Sequence, residues 1–220
     1  MTTSLTRKAA LLATTVLSAI AAASASAAVA TGKQDEIKFD LIPNAAFVDC
    51  IRADYAHQPK AHVTVTRGKL NDTLTLDLEW FKPGLQFDLF TIEHSPFFED
   101  GTKDGSFKAN KFGMAWYQSD VEVNKGRGGR TQIKTILLDQ IFGFDSDVNL
   151  APVNTFHVGF WFNNPADAQP CSKDPIKPTP FNGEHKAGPF AMISGTDVAT
   201  RLGPLCTDPT FNKTGLKCNP

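Results

Sequence analysis

The chain has 220 residues, with 22 Lys and Arg against 23 Asp and Glu, and a formal net charge of −1 at pH 7. This balance gives no electrostatic reason to expect nucleic acid as a partner. The length suits one domain with a proper hydrophobic core.

Residues 1–30 have the pattern of a secretory signal peptide. Arg7 and Lys8 precede an apolar run over 9–23, and small residues follow over 25–30. A charged start, an apolar middle and small-x-small sites are typical of such peptides, and we expect cleavage after Ala30. The alternative is a membrane anchor, but a run dominated by Ala would insert weakly. No other stretch is long and apolar enough to span a bilayer.

We therefore expect a protein secreted to the extracellular space or the cell envelope. Removal of residues 1–30 leaves 20 Lys and Arg against 23 Asp and Glu, a net charge of −3. The predicted mature chain is one domain over 31–195, followed by a disulfide-closed tail over 196–220. The amino-acid sequence contains no motif that indicates a particular oligomeric state.

The four cysteines are Cys50, Cys171, Cys206 and Cys218. An even number in an exported chain favours two disulfides, and no spacing matches a CxxC zinc or thioredoxin-type motif. Of the three possible pairings we predict Cys50–Cys171, which joins early and late parts of the chain, and Cys206–Cys218. Loop entropy indicates that each bridge stabilises the fold by about 3–5 kcal/mol.

Most of the mature chain reads as short strands separated by turn residues. The predicted strands are 37–41, 61–66, 73–80, 86–93, 112–123, 129–138, 156–163 and 189–194. The strand over 112–123 is expected to bend near 118–120, and 45–56 is ambiguous between strand and short helix. Residues 94–111 are polar and contain Gly, which indicates either a functional or a mobile loop. Residues 141–152 are predicted as an acidic loop.

The segment 155–164 contains the strongest apolar pattern in the chain. With the period of two that a strand imposes, one face comprises Phe156, Val158, Phe160 and Phe162. The opposite face comprises His157, Gly159, Trp161 and Asn163. We expect the first face to lie in the middle of the core. The second face is either half-buried or part of a site.

Many short strands with almost no amphipathic helix predict an all-β fold. The expected architecture is a single-domain antiparallel β-sandwich, jelly-roll or immunoglobulin-like, with disulfides. An up-and-down barrel is the alternative. The 17 Phe residues are best explained as the core of such a fold.

Candidate catalytic and metal-binding residues are few. His157 can converge with Glu184 and His185 to form a metal or acid/base site, with Asp120 as a further carboxylate. The alternative is that His157 is a hydrogen-bonded, half-buried side chain and His185 a solvated loop residue. A calcium site is expected from oxygen side chains at alternate positions, namely Asp145, Asp147 and Asn149, although an EF-hand pattern is absent. The cofactor is therefore either none or a divalent metal.

Two further patterns concern strand residues. Asp120 and Asp88 can form a carboxylate pair of the kind that glycosidases use. A ligand-binding surface is predicted from four residues of the types that stack on sugars or anchor binding partners, namely Trp116, Tyr117, Trp161 and Asn163. Since aromatic residues on sandwich strands usually belong to the core, burial is the competing interpretation.

Several stretches together resemble a group of exported bacterial proteins of uncharacterised function, namely 82–90, 116–120, 156–167 and 179–188. This resemblance implies export and no particular activity. The alternating strand before Pro83-Gly84 also resembles copper/zinc superoxide dismutase and chordin-type sandwich modules. Those modules carry paired histidines on a strand where this chain has Phe87-Asp88-Leu89-Phe90, so the resemblance does not extend to dismutase chemistry.

The sequence favours a secreted, non-catalytic protein that binds a glycan or another component of the cell envelope or extracellular space. The alternative is a metal-assisted or acid/base hydrolase near His157, Glu184 and His185. A purely structural envelope or matrix protein is a third possibility that the sequence does not separate from the first.

Overall fold

The structure is a computed structural model that describes residues 36–68, 71–108, 111–113, 115–125, 128–138, 142–143, 153–154, 156–178 and 187–206. Several predictions lie outside these residues: the signal peptide over 1–30, the calcium loop of Asp145, Asp147 and Asn149, the pair Glu184 and His185, and Cys218. Within the described residues, no helix has the length and apolar character needed to cross a bilayer.

The described chain consists of short strands, as the period-two pattern predicts. The strands are β1 (Glu36–Pro43), β2 (Lys60–Thr66), β3 (Asn71–Glu79), β4 (Gln86–Ile92), β5 (Ala115–Glu122), β6 (Thr131–Leu138), β7 (Phe142–Gly143), β8 (Val153–Asn154), β9 (His157–Phe162) and β10 (Phe190–Ser194). The helical elements are α1 (Val48–Ile51), α2 (Pro165–Ala168) and a 3₁₀ turn over Gln169–Cys171. The ambiguous segment 45–56 thus contains a short helix. The pair β7–β8 lies in and beside the predicted acidic loop.

Eight strands form one antiparallel sheet in the order β5-β4-β9-β10-β1-β2-β3-β6. The all-β prediction is confirmed. The two end strands approach each other, since the Thr135 hydroxyl donates to the Gln118 carbonyl at 3.4 Å. The sheet is therefore a nearly closed barrel. Because the order is not sequential, the up-and-down alternative is wrong.

The inner face of the curled sheet holds the main core. Alternate residues of β3 point inward, and Leu74, Leu76 and Leu78 are all buried. The Phe-rich strand behaves in the same way, because Phe160 and Phe162 lie in this core with their rings against Phe87 at 4.9 and 5.4 Å. The predicted inward face of residues 156–162 is confirmed for its three positions within β9.

The outer face of β4, β9 and β10 is covered by a second apolar cluster. We call residues 93–108 and 111–113 the cover lobe. Phe112 of this lobe packs edge-on against Trp161 at 5.3 Å, and Phe97 is also buried. The lobe is attached to the strand ends by the Thr196 amide, which donates to the Phe97 carbonyl at 2.8 Å. The described part of the predicted loop, residues 94–108 and 111, thus belongs to a cover that buries the Phe97 ring.

Gly159 explains how the Trp161 ring fits onto the outer face of β9. A Cβ atom at this position would lie 3.1 Å from Cζ3 of Trp161 and 3.1 Å from the Met192 carbonyl oxygen. Both distances are tighter than ordinary van der Waals contact. Glycine therefore provides the space in which the indole lies flat on the strand.

Trp80 does not share the inward face of the β3 leucines, and this part of the prediction is wrong. The strand ends at Glu79, and Trp80 adopts a positive φ of 63° that turns its side chain away from the core. The indole instead stacks on the His57 ring, with centroids 3.8 Å apart and planes 5° apart. The Arg130 guanidinium also lies near it, 5.3 Å from the ring centroid.

Cys50 and Cys171 form a disulfide, as predicted, with Cα atoms 6.0 Å apart. The bridge joins α1 to the 3₁₀ turn that follows α2. It spans 121 residues of sequence, so it restricts a large part of the unfolded chain.

A buried ion pair at the β2–β3 turn supplies a test of this architecture. Arg67 binds the carboxylate of Asp72, and the two side chains are 3 % and 0 % exposed. Replacing Arg67 by Met should lower the free energy of unfolding by about 3–5 kcal/mol, because a buried carboxylate loses its partner. Urea unfolding monitored by circular dichroism measures this.

The double variant Arg67→Met with Asp72→Leu should recover much of that loss, because no charge is left buried. The matched surface control is Lys38→Met, which breaks the exposed pair with Glu36 and should cost less than about 1 kcal/mol. A loss as small for Arg67→Met as for Lys38→Met would contradict the burial of the pair.

Candidate functional site

A cleft of about 610 Å³ lies between the cover lobe and the segment after β10, by which we mean residues 195–206. It is located where β4 ends and β9 begins: Glu93 directly follows β4, and His157 is the first residue of β9. The lining side chains are Glu93, His94, Ser95, Asp104, Ser106, Phe107, Lys108, Lys111, Phe156, His157, Thr196, Arg201 and Leu202. The cleft thus combines charged groups of both signs, hydroxyls and two phenyl rings.

The lobe wall of the cleft is built from a tight aspartate turn. The Asp104 carboxylate accepts hydrogen bonds from the Ser106 amide at 2.8 Å and the Ser106 hydroxyl at 2.6 Å. The hydroxyl bond is the main reason why the pKa of Asp104 is lowered. Asp104 is therefore ionised at neutral pH, and its Asp-Gly-Ser sequence is typical of such turns. The same arrangement recurs at Asp100 and Thr102.

His157 forms the base of the cleft and is 3 % exposed. Burial lowers its pKa to about 3, and nearby charge on His94 acts in the same direction. The ring is therefore neutral at physiological pH. Gly203 packs onto it so closely that a Cβ atom there would lie 2.9 Å from Cε1. His157 is thus a rigid wall group.

Ser194 is the hydrogen-bonding partner of His157, but it is not placed as a nucleophile. Its hydroxyl oxygen lies 3.0 Å from Nδ1 of His157 and accepts the Val158 amide at 3.1 Å. The Ser194 side chain is fully buried in β10. A serine that no substrate reaches cannot attack a bond, so this pair is a structural contact between β9 and β10.

Arg201 contributes a guanidinium from the opposite wall in a strained backbone conformation. Its φ is 63°, and its amide donates to the Asp197 carbonyl at 2.9 Å to close a helical turn. Glycine is the residue usually found at such a position, because a side chain costs about 1–2 kcal/mol there. The guanidinium lies 3.9 Å from the Asp104 carboxylate and 4.8 Å from the Phe98 ring centroid.

A second polar region lies on the outer face of β4, β5 and β9, where Asp88 is the β4 partner of Trp161. Asp88 and Asp120 are directly opposite each other in the β4–β5 pair, so their side chains share this face. Asn163 donates to Asp88 at 2.8 Å, and the Tyr117 hydroxyl donates to Asp120 at 2.7 Å. We call these four side chains the carboxylate row. A bulge between Leu89 and Phe90 produces this alignment.

The predicted surface-binding residues divide between exposed and buried positions. Tyr117 is 47 % exposed and Trp116 and Asn163 are half-buried, so the prediction that these three bind a ligand remains a prediction. Trp161 is fully buried under the cover lobe, which rules it out as an exposed stacking surface. Its ring is needed to anchor the lobe, as the competing interpretation of the sequence expected.

The predicted catalytic and metal residues are only partly brought together. His157 lines the cleft, whereas Asp120 lies in the carboxylate row, and Glu184 and His185 are outside the described residues. Within the described part of the chain, no group of three or more His, Cys, Asp or Glu side chains is arranged to hold a metal ion. The calcium prediction for Asp145, Asp147 and Asn149 stays a prediction.

The cleft also contains residues that the sequence did not single out. Glu93 and His94 are neighbours just after β4, whereas Arg201 lies more than 100 residues later in the chain, and the two segments share no motif. The one local signal is the pair of Asp-Gly turns at 100–102 and 104–106, which indicates a structured loop but no ligand.

Comparisons with protein-family models, curated proteins and solved structures give no match for this chain.

The burial of His157 predicts a pH dependence of stability. In the unfolded chain this imidazole takes a proton near pH 6.5, whereas the folded pKa is about 3. Between these values the unfolded state binds more protons, so the free energy of unfolding falls as the pH is lowered. We expect this group alone to remove about 2 kcal/mol between pH 7 and pH 5.

Urea unfolding of the wild type and of His157→Asn, each at pH 7 and at pH 5, measures the contribution of His157 to the pH dependence of the free energy of unfolding. The amide of Asn can replace Nδ1 toward Ser194 but does not titrate. The difference between the two proteins isolates His157, because contributions of the other histidines are common to both. Equal pH dependence in the two proteins would show that the ring is not held neutral in the folded state.

Proposed function

We propose that this protein is a secreted, non-catalytic β-domain that binds a sugar chain of the cell envelope or extracellular space. The observation that supports this most strongly is the cleft between the cover lobe and the segment after β10. Its volume of about 610 Å³ lies in the usual range for small-ligand sites. Its base includes His157, the first residue of β9, which is held by Ser194 and Gly203, so this part of the surface is preformed.

The composition of the cleft suits a polyhydroxylated ligand. Phe107 and Phe156 are half-buried and present ring surface to the cleft, where the apolar face of a sugar can pack. Three hydroxyl groups also line the cleft, those of Ser95, Ser106 and Thr196. The Ser106 hydroxyl donates to Asp104 and can still accept from a ligand, while the Ser95 oxygen accepts the Phe97 amide and its proton can still be donated. Alternating ring faces and hydrogen-bonding groups match the alternating surfaces of a sugar.

Binding without turnover is favoured by the state of the titratable groups. A general base works best with a pKa near the ambient pH, and the pKa of His157 is about 3. The nearest hydroxyl, that of Ser194, is enclosed in the sheet. Neither group is suited to proton transfer or to nucleophilic attack.

The proposal also includes two further points: the protein is exported, and its β fold is a sandwich. The expected signal peptide over 1–30 and the Cys50–Cys171 disulfide both suit an oxidising compartment. The resemblance to exported bacterial proteins points the same way. The strand order supports a Greek-key sandwich, because it is not sequential and β9 returns to pair with β4 after the chain has passed through β5 and β6.

Replacing Phe107 by Leu tests the binding site. The variant keeps an apolar side chain against Phe112, whose ring centroid is 5.3 Å away, but loses the ring face. We expect the affinity for the best ligand of a glycan array to fall about tenfold, equivalent to about 1.4 kcal/mol, with little change in melting temperature. Isothermal titration calorimetry measures the affinity.

The matched control is Tyr55→Leu, which removes an 81 % exposed aromatic ring that does not line the cleft. This variant should bind as the wild type does. Equal loss in both variants, or loss in Tyr55→Leu alone, would place the sugar site elsewhere.

A second candidate function is an acid/base hydrolase, and one observation favours it. Asp88 and Asp120 are direct partners across β4 and β5, which places their Cβ atoms about 4.5–5.5 Å apart. Retaining glycosidases hold their two carboxyl groups at about 5–5.5 Å. Asp88 is buried and hydrogen-bonded to Asn163, while Asp120 is exposed, so their environments differ as the two roles require.

A panel of aryl glycosides tests this candidate. If the carboxylate row is catalytic, Asp120→Asn should lower kcat by at least about 100-fold. Asp77→Asn on β3 is the control and should leave kcat unchanged. Absence of turnover by the wild type, or equal rates in all three proteins, would exclude the carboxylate row as a glycosidase centre.

A further inference from the structure

We propose that the sugar chain bound in the cleft carries carboxylate groups, and that Arg201, Lys108 and Lys111 recognise them. This inference rests on the proposed function and narrows its ligand class to acidic oligosaccharides, such as polymers of uronic acids. It is based on the charges that line the cleft and on the backbone conformation of Arg201.

The acidic side chains of the cleft already have partners within the protein. The Asp104 carboxylate accepts two hydrogen bonds from Ser106 through Oδ1, and its Oδ2 faces Arg201. Glu93 Oε2 lies 3.8 Å from Nε2 of His94. The Asp104 carboxylate is therefore partly compensated by Arg201 and presents less negative charge to a ligand than an unpaired carboxylate would.

The cations of the cleft outnumber these acids. Lys108 and Lys111 are exposed at the mouth, and the Lys111 amide donates to the Lys108 carbonyl at 2.9 Å. Within the described residues neither lysine forms an ion pair. Together with Arg201 they surround the mouth with three positive charges against two carboxylates, while His157 stays neutral.

The conformation of Arg201 is the second, independent observation. Seven described residues have a positive φ, and five of them are glycine. Arg201 departs from this pattern at a position where glycine would remove the strain. Its guanidinium lies 3.9 Å from Asp104, which is longer than a hydrogen bond. Strained residues of this kind concentrate at ligand-binding positions, and a guanidinium matches the two oxygens of a carboxylate.

Oligogalacturonate and its fully methyl-esterified form provide the test, because they share one sugar backbone and differ in charge. Titration calorimetry of the full chain should show the acidic form binding at least about tenfold more tightly than the ester. The affinity for the acidic form should fall steeply as salt is raised, since the contacts are exposed. The ester should show little dependence on salt.

Three variants assign the recognition to the cleft. Arg201→Gly should melt at the same or a higher temperature than the wild type, since strain is relieved, yet bind oligogalacturonate at least about tenfold more weakly. Lys108→Ala with Lys111→Ala should weaken the acidic form and leave the ester unchanged. Lys103→Ala is the matched control, because Lys103 lies on the cover lobe but does not line the cleft.

The failures of the two proposals are distinguishable. Equal binding of the acidic and esterified chains would overturn the carboxylate assignment and leave sugar binding in place. Absence of binding to both chains and to a wider glycan array would overturn the sugar-binding function, and the carboxylate assignment with it. The wild type could bind the acidic chain more tightly than the ester while Arg201→Gly binds the acidic chain just as well and melts at a lower temperature. That result would contradict the role of Arg201 in recognition and show that Arg201 stabilises the fold by packing on Phe98.

Discussion

The structure depends on the burial of one strand, β9, on both of its faces. Phe160 and Phe162 occupy the interior of the curled sheet, and Trp161 lies between them in sequence but on the outer face. A buried indole requires a cover, because leaving so large an apolar surface in water is unfavourable. The cover lobe meets this requirement with Phe112 and Phe97. The long segment between β4 and β5 is thus a second layer of the fold.

The cleft follows from the same constraint. A lobe that covers the apolar middle of the outer face leaves a margin, where its turns meet the segment after β10 and the first residue of β9. His157 lies at that margin, so it is buried by its neighbours and yet lines the cleft. On the same face, beside Trp161, Asp88 and Asp120 belong to the carboxylate row. One covered face therefore produces two separate polar regions.

The positions of the strands were predictable from the sequence because side chains alternate along a strand. The period-two patterns locate all eight strands of the main sheet, and the expected bend near 118–120 corresponds to the bulge in the β4–β5 pair. The carboxylate pair was also predictable as a possibility, but its geometry depends on register. A shift of one residue would move Asp120 to the inner face. The strands β7 and β8 contain two residues each, which is too few to show a period-two pattern.

The sequence by itself determined the all-β class, the strand positions and the inward face of the Phe-rich strand, because periodicity is a local property. The even number of cysteines indicated disulfides but left three pairings open, and the structure decided for Cys50–Cys171. Only the tertiary structure decided what lies on the outer face. Trp161 is buried because a distant segment folds onto it, and Trp80 is turned outward by a positive φ that no residue pattern announces. The lining of the cleft comes from segments far apart in the chain, so it exists only once strand order and register bring their ends together.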